Sequence, residues 1–204
     1  GLLQHERALQ KIAITNGGNR AATTPGYRGS VDYVASRLRA AGYEVTLDGF
    51  DFPIWTKNGP STIAELTPTA KTFVEDTDYI VSQFSGGGDV TAKVIPTNDI
   101  QVPPPGGPGT GTSGCEPADF PATVAGNIAL VQRGTCPFVQ KYANAKAAGA
   151  TAALLMNDGF PGRVDPLAIT APVNIGIPTV MISSTIGEAM YAEAQAGDVT
   201  AQVK

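Results

Sequence analysis

Residues 127–157, NIALVQRGTCPFVQKYANAKAAGATAALLMN, constrain the fold of this chain more than any other stretch. Ile128, Leu130 and Val131 form a short apolar run of strand type, ended by Arg133-Gly134. Thr135 or Cys136 can cap a helix whose first position is Pro137, where a missing N–H costs nothing. Phe138, Tyr142 and the alanines make one apolar face, and Gly149 closes the helix at the C′ position. Residues 152–156 then read as a buried strand. The stretch is therefore a strand, a cysteine-bearing turn, a helix and a second strand.

Elsewhere the signals are local. In residues 2–15, Leu2, Leu9, Ile12 and Ala13 fall roughly on one helical face, and Asn16-Gly17-Gly18-Asn19 ends it. Thr24-Pro25-Gly26-Tyr27 reads as a turn. Residues 30–41 are a clearer amphipathic helix, with Val31, Val34, Ala35 and Leu38 at i, i+3, i+4 and i+7, stopped by Gly42. Tyr43, Val45 and Leu47 alternate with polar residues. The alternation slips at Asp48-Gly49 and resumes as Phe50, Phe52 and Ile54, the pattern of a strand with a bulge or tight hairpin. Lys57-Asn58-Gly59-Pro60 reads as a linker. Short strand candidates follow at 62–66, 79–84 and 90–95, separated by glycine-rich turns. Residues 102–114, VPPPGGPGTGTSG, are expected to be irregular, as is a long loop over 158–174. Residues 177–183 read as a buried strand. Thr185 and Glu188 fit a capping box for a last helix ending near Ala196-Gly197. Val199, Ala201 and Val203 alternate with polar residues to the last position, which reads either as a truncated strand or as an ordinary C-terminal edge strand.

Little in the chain points to chemistry. The net charge of −4 offers no footprint for nucleic acid, and no apolar run approaches the ~20 residues of a membrane span. No signal peptide is read at Gly1, so any targeting segment is expected to have been removed or never to have been there. His5 is the only histidine; His5-Glu6 begins like HExxH, but Leu9 stands where the second ligand is needed. There is no G-x-S-x-G elbow, and TGTSG lacks the GK[ST] of a phosphate loop. Glu75-Asp76-Thr77-Asp78 can be a calcium-ligating turn or a solvated one, and the pattern does not decide between them. No catalytic and no metal-binding residue is assigned. Two groups remain as candidate interaction loops: Gln132, Arg133 and Thr135 after the first strand of the opening stretch, and Asn157, Asp158, Phe160 and Arg163 after the second. If those strands are neighbours, both loops fall at one sheet edge, where α/β folds tend to place binding loops. The alternative is a structural hydrogen-bonding role.

LVQRGTCPF at 130–138, the helix end at Asn144-Ala145 and Ala148-Gly149-Ala150, Leu154-Leu155-Met156-Asn157 and Ile177-Pro178-Thr179-Val180 resemble the protease-associated (PA) domain, over residues 56–198. Gly18-Asn19-Arg20, Thr24-Pro25-Gly26-Tyr27, SVDYVASRLRAAGYEV at 30–45 and Phe50-Asp51-Phe52 resemble the start of secreted zinc-dependent aminopeptidases, in which a PA domain interrupts the peptidase domain. The resemblance implies an α/β (α+β) chain: two helices and a strand of a truncated peptidase domain at 1–55, a β-rich PA domain with flanking helices at 56–198, and a return strand toward the catalytic portion at 199–204. It implies no cofactor in this chain and zinc, with a glutamate general base, in the missing catalytic portion. Expected partners are the remainder of the peptidase domain and a peptide or protein substrate, with the PA part shaping access or binding proteins.

Cys115 and Cys136 are the only cysteines. With one distant histidine and no CxxC they make a poor zinc or redox site. In PA domains this pair is commonly bridged, which here would tie the loop before one strand to the loop after it and contribute about 3 kcal/mol by loop entropy. A disulfide implies an oxidising compartment, hence a secreted, extracellular or cell-envelope protein. Two other readings compete: a stand-alone PA binding module of sorting-receptor or adaptor type, which does not need the N-terminal helix pair, and a PA unit of a subtilisin-like protease, where triad motifs should flank the insert and the SVDYVASRLRAAGYEV pattern does not suit.

Overall fold

The computed structural model describes residues 1–170 and 173–204; Ala171 and Pro172, in the loop expected over 158–174, lie outside the described residues. The chain divides into two units, Gly1–Phe52 and Pro53–Lys204, so the boundary falls three residues before the one expected at 55/56.

The first unit is a helix pair, α1 (Leu2–Thr15) and α2 (Pro25–Ala40). The second helix starts earlier than the sequence periodicity places it. Thr24, expected in a turn, is its N-cap and accepts the Tyr27 N–H at 3.3 Å, with Pro25 in the first helical position. His5 Nδ1 lies 2.8 Å from the Tyr33 hydroxyl and so links the two helices. The strand expected at 43–54 does not form. Its backbone finds no ladder partner among the described residues, and an alternating pattern makes a strand only when a neighbour takes its N–H and C=O groups. Its apolar side chains are left in solvent, Phe50 at 77% and Ile54 at 59% exposure.

The second unit is built on one eight-stranded sheet. Its strands are β1 (Ile63–Thr67), β2 (Lys71–Phe73), β3 (Tyr79–Val81), β4 (Val90–Pro96), β5 (Ile128–Gln132), β6 (Ala152–Met156), β7 (Thr179–Ile182) and β8 (Thr200–Val203). They lie in the order β2-β1-β8-β4-β5-β6-β7-β3. β4, β5, β6 and β7 are parallel, while β1, β2, β8 and β3 join antiparallel. Helix α3 (Phe138–Ala147) crosses from β5 to β6, and α4 (Ser184–Ala196) follows β7. Of the parallel strands, β5, β6 and β7 are buried on both faces, which is why they read as largely apolar runs. Ile128, Leu130, Leu154 and Met156 pack on one side with Met190 of α4; Ala129, Val131, Ala153 and Leu155 pack on the other with Tyr142 and Ala145 of α3.

Both caps differ from the sequence reading. No side chain caps α3, whose N-cap is Pro137 rather than Thr135 or Cys136. Helix α4 is capped by Ser183, which accepts the Ile186 N–H at 3.3 Å, two residues before the expected Thr185. Residues 199–204, expected to return toward another portion, lie inside this sheet: β8 sits between β1 and β4. Thr62 and Lys204 exchange both backbone hydrogen bonds, at 2.8 and 2.9 Å. The chain just before β1 and the chain just after β8 are therefore adjacent and antiparallel.

One polar cluster joins the sheet edge to α4. Glu65 on β1 is 1% exposed, and Lys71 on β2 reaches both Glu65 (3.4 Å) and Glu193 of α4 (3.1 Å). Glu65 Oε1 and Glu193 Oε2 are buried with no hydrogen-bond partner among the described residues. Burial, and then the Glu193 carboxylate, raise Glu65 above the ordinary carboxyl value, against the pull of Lys71. A carboxyl raised on folding stabilises below its unfolded value, and the contribution is lost as pH rises through the folded value. Glu65→Gln supplies a permanent donor toward Glu193. It is expected to stabilise the chain by about 1 kcal/mol at neutral pH and to flatten that decline. Unfolding curves between pH 4 and 8 test this; a variant less stable than the parent at neutral pH refutes it.

Candidate functional site

The two candidate loops lie side by side. β5 and β6 pair in parallel with Gln132 opposite Met156, so the loops after them leave the same sheet edge. Most of the residues at this edge face inward. Gln132 is 1% exposed; its amide donates to the Gln101 carbonyl at 2.8 Å and accepts the Gln101 N–H at 3.3 Å. Arg133 Nη1 donates to Asn157 Oδ1 at 3.1 Å, and its guanidinium lies 6.0 Å from the Phe138 ring centroid. Asn157 in turn donates to the Asp165 carbonyl at 2.7 Å and accepts the Asp158 N–H at 3.0 Å.

Asp158 is the electrostatic centre of the edge. Its side chain is fully buried and receives Arg163 Nε at 2.7 and 3.0 Å, Arg163 Nη2 at 2.6 Å and the Gly109 N–H at 2.8 Å. Burial pushes this carboxyl up; the Arg163 fork, the Gly109 N–H and the charge of Arg133 outweigh it and hold it below the ordinary value. Arg133 is shifted down by burial and by Arg163, and Asp158 opposes the shift. Phe160 is half-buried, in a turn that the Arg163 N–H closes on the Phe160 carbonyl at 2.7 Å.

The segment at 102–114, expected only to be irregular, is what covers both loops. It reaches Asp158 through Gly109, and Gly111 accepts the Thr135 N–H at 2.9 Å. Ser113 Oγ accepts the Gln132 N–H at 2.8 Å and bonds Thr97 Oγ1 at 2.7 Å. Cys115 is joined to Cys136. Lys141 of α3, fully buried, donates to the Ser113 carbonyl. Sequence reasoning missed Lys141, Gly109 and Ser113. A lysine on an alanine-rich helix face is the one signal that could have singled out Lys141.

Two guanidiniums thus act on the Asp158 carboxylate, which is committed to Arg163. Among the described residues no group of three or more His, Cys, Asp or Glu side chains is placed to hold a metal ion. On the acidic turn, Asp78 accepts the Val74 N–H at 2.8 Å and Glu75 pairs with Lys57. These residues do not fit a zinc centre.

A family model of the PA domain matches residues 90–190, the region that holds β4 to β7, the disulfide and both loops. This stretch is a PA domain. An aminopeptidase of Pseudomonas aeruginosa is 46% identical over 151 residues, which is 74% of this chain and 27% of that protein. The solved aminopeptidase from Aneurinibacillus sp. strain AM-1 superposes with a TM-score of 0.71 at 27% identity, over 98% of this chain and 43% of that one. A zinc aminopeptidase from Bacillus subtilis shares the fold, with a TM-score of 0.51 at 22% identity, again over 98% of this chain and 43% of that one. The chain spans only about a quarter of the Pseudomonas relative's length. Its α/β architecture, like its PA domain, is that of these aminopeptidases.

Proposed function

We propose that this chain is the non-catalytic, PA-bearing part of a secreted zinc-dependent aminopeptidase. In the parent, zinc held by a portion outside these residues supports hydrolysis of the bond after an N-terminal residue. The PA domain shapes substrate access to that portion or binds a protein there. The observation that carries the reading is the adjacency of the sheet's first and last strands in chain order, β1 and β8, where the flanking Thr62 and Lys204 are paired. A module with neighbouring ends can be inserted into another domain without distorting it. The unpaired, alternating segment at 43–54 supports the same reading, since its exposed apolar residues need a further sheet to cover them. The disulfide supports secretion.

A second reading, a stand-alone PA binding module, draws support from the second unit's own two core clusters. One experiment separates the two. The native protein is purified from its source, its intact mass measured, and its turnover of an aminoacyl anilide compared with that of the pure 204-residue chain. The expected result is a mass well above 21.0 kDa, chelator-sensitive turnover by the native protein and none by the chain. A native mass near 21.0 kDa favours the binding module. Chelator-sensitive turnover by the pure chain overturns the non-catalytic assignment.

A further inference from the structure

We infer that the Cys115–Cys136 disulfide is polarised for thiol exchange, with an incoming thiol attacking Cys136 while Cys115 leaves as a thiolate held by Lys141 and Thr135. The two sulfurs sit in different surroundings. Cys115 is 8% exposed, and its carbonyl is gripped by Gln140 Nε2 and Asn144 Nδ2, both at 2.8 Å. Cys136 is partly exposed in the loop before α3. An external thiol therefore meets Cys136 first.

The leaving group is prepared in advance. Lys141 Nζ lies 3.6 Å from Cys115 Sγ, and Thr135 Oγ1 lies 3.7 Å from the same sulfur. Lys141 is a donor in place, and the Thr135 hydroxyl becomes a second by turning from the Gly111 carbonyl, 3.4 Å away, to a negative charge formed on Cys115. Lys141 has use for that charge. It is fully buried and bonds a neutral carbonyl, and among the described residues it makes no salt bridge. Asp99 and Asp119 act on it only through space, and burial lowers its ammonium to about 8. A buried cation without a contact anion is costly, and a thiolate at this distance would supply the anion. A leaving thiol whose thiolate is stabilised leaves faster.

The exchange consumes external thiol and no other reactant. A thiolate of the glutathione class bonds to Cys136 Sγ as the Cys115–Cys136 bond breaks, and the electron pair and negative charge pass to Cys115. A second thiol then takes the glutathionyl group from Cys136 as an external disulfide, leaving both cysteines reduced.

The test is exchange with glutathione at neutral pH, quenched by fast alkylation and read by peptide mass spectrometry. The expected product carries glutathione on Cys136 and the alkyl group on Cys115. Lys141→Met is expected to slow its formation about tenfold, and Thr135→Val, at an exposed position, a few-fold. Glutathione found mainly on Cys115 overturns the inference in the unmodified protein, whether or not the Lys141 variant folds. So does a folded Lys141→Met variant, or the Thr135→Val variant, that exchanges at the parental rate.

Discussion

Replacing Arg163 with alanine is expected to destabilise the second unit by about 3–5 kcal/mol. The reason lies in what is left behind. The Asp158 side chain is fully buried, and Arg163 supplies three of its four hydrogen bonds, the Gly109 N–H supplying the fourth. Without the guanidinium, one carboxylate faces a low-dielectric edge with a single donor in contact. The pH dependence carries the sign. Asp158 is held below the ordinary value of 3.8 in the folded chain, so its contribution is present above that value and is lost as pH falls through the depressed one. The gap between parent and variant should therefore be widest near neutral pH and narrow in acid, where the variant's carboxyl is protonated and neutral. Denaturant unfolding at pH 7 and at pH 4 measures both gaps. A loss under 1 kcal/mol at pH 7, or one that widens in acid, would show that the pair is not the centre of this edge. Asp158→Asn should cost less, because Arg163 is 24% exposed and can reach water.

The parallel core was the most legible part of the chain. Residues 128–131 and 152–156 are apolar on both faces, as a strand covered on both sides requires. The strand β2 was not legible, because Lys71-Thr72-Phe73 is short and largely exposed and carries no run to detect. The expected strand at 43–54 failed for the opposite reason: the pattern is present, and the partner is not among the described residues. Helix starts were misplaced at Thr24 and Ser183 because several residues in each stretch could cap, and the choice between them is made by tertiary packing. At the sheet edge, the sequence placed Arg133, Asn157, Asp158 and Arg163 close together but could not say what they bond. Asp158 meets Gly109, 49 residues away, across a segment whose Gly/Pro composition carries no register. The same applies to Lys141, whose partners Ser113 and Cys115 lie at sequence separations of 28 and 26.

The glycine of the RGTC motif shows how tightly that covering segment is held. A Cβ on Gly134 would lie 1.7 Å from the Gly111 carbonyl oxygen and 2.5 Å from its carbon. Both are backbone atoms, so no side-chain rotation relieves the clash, and the two loops must separate. Separation breaks the Thr135 N–H bond to Gly111, 2.9 Å in the parent, beside the disulfide. Overpacking of this kind and one lost hydrogen bond together predict a loss of about 2–4 kcal/mol for Gly134→Ala. Amide exchange at Thr135 should quicken before global unfolding does, since the damage begins at that bond. Gly197→Ala is the matched control: its added Cβ meets nothing within 4 Å, and its backbone at φ 175° is extended, which any residue adopts. Thermal unfolding of the two variants side by side decides the point. If Gly134→Ala melts with Gly197→Ala, the glycine is not there for the approach of segment 102–114, and the covering of both loops by that segment loses its main support. If it melts well below, the motif's glycine is explained by backbone contact alone, with no need for a ligand at that position.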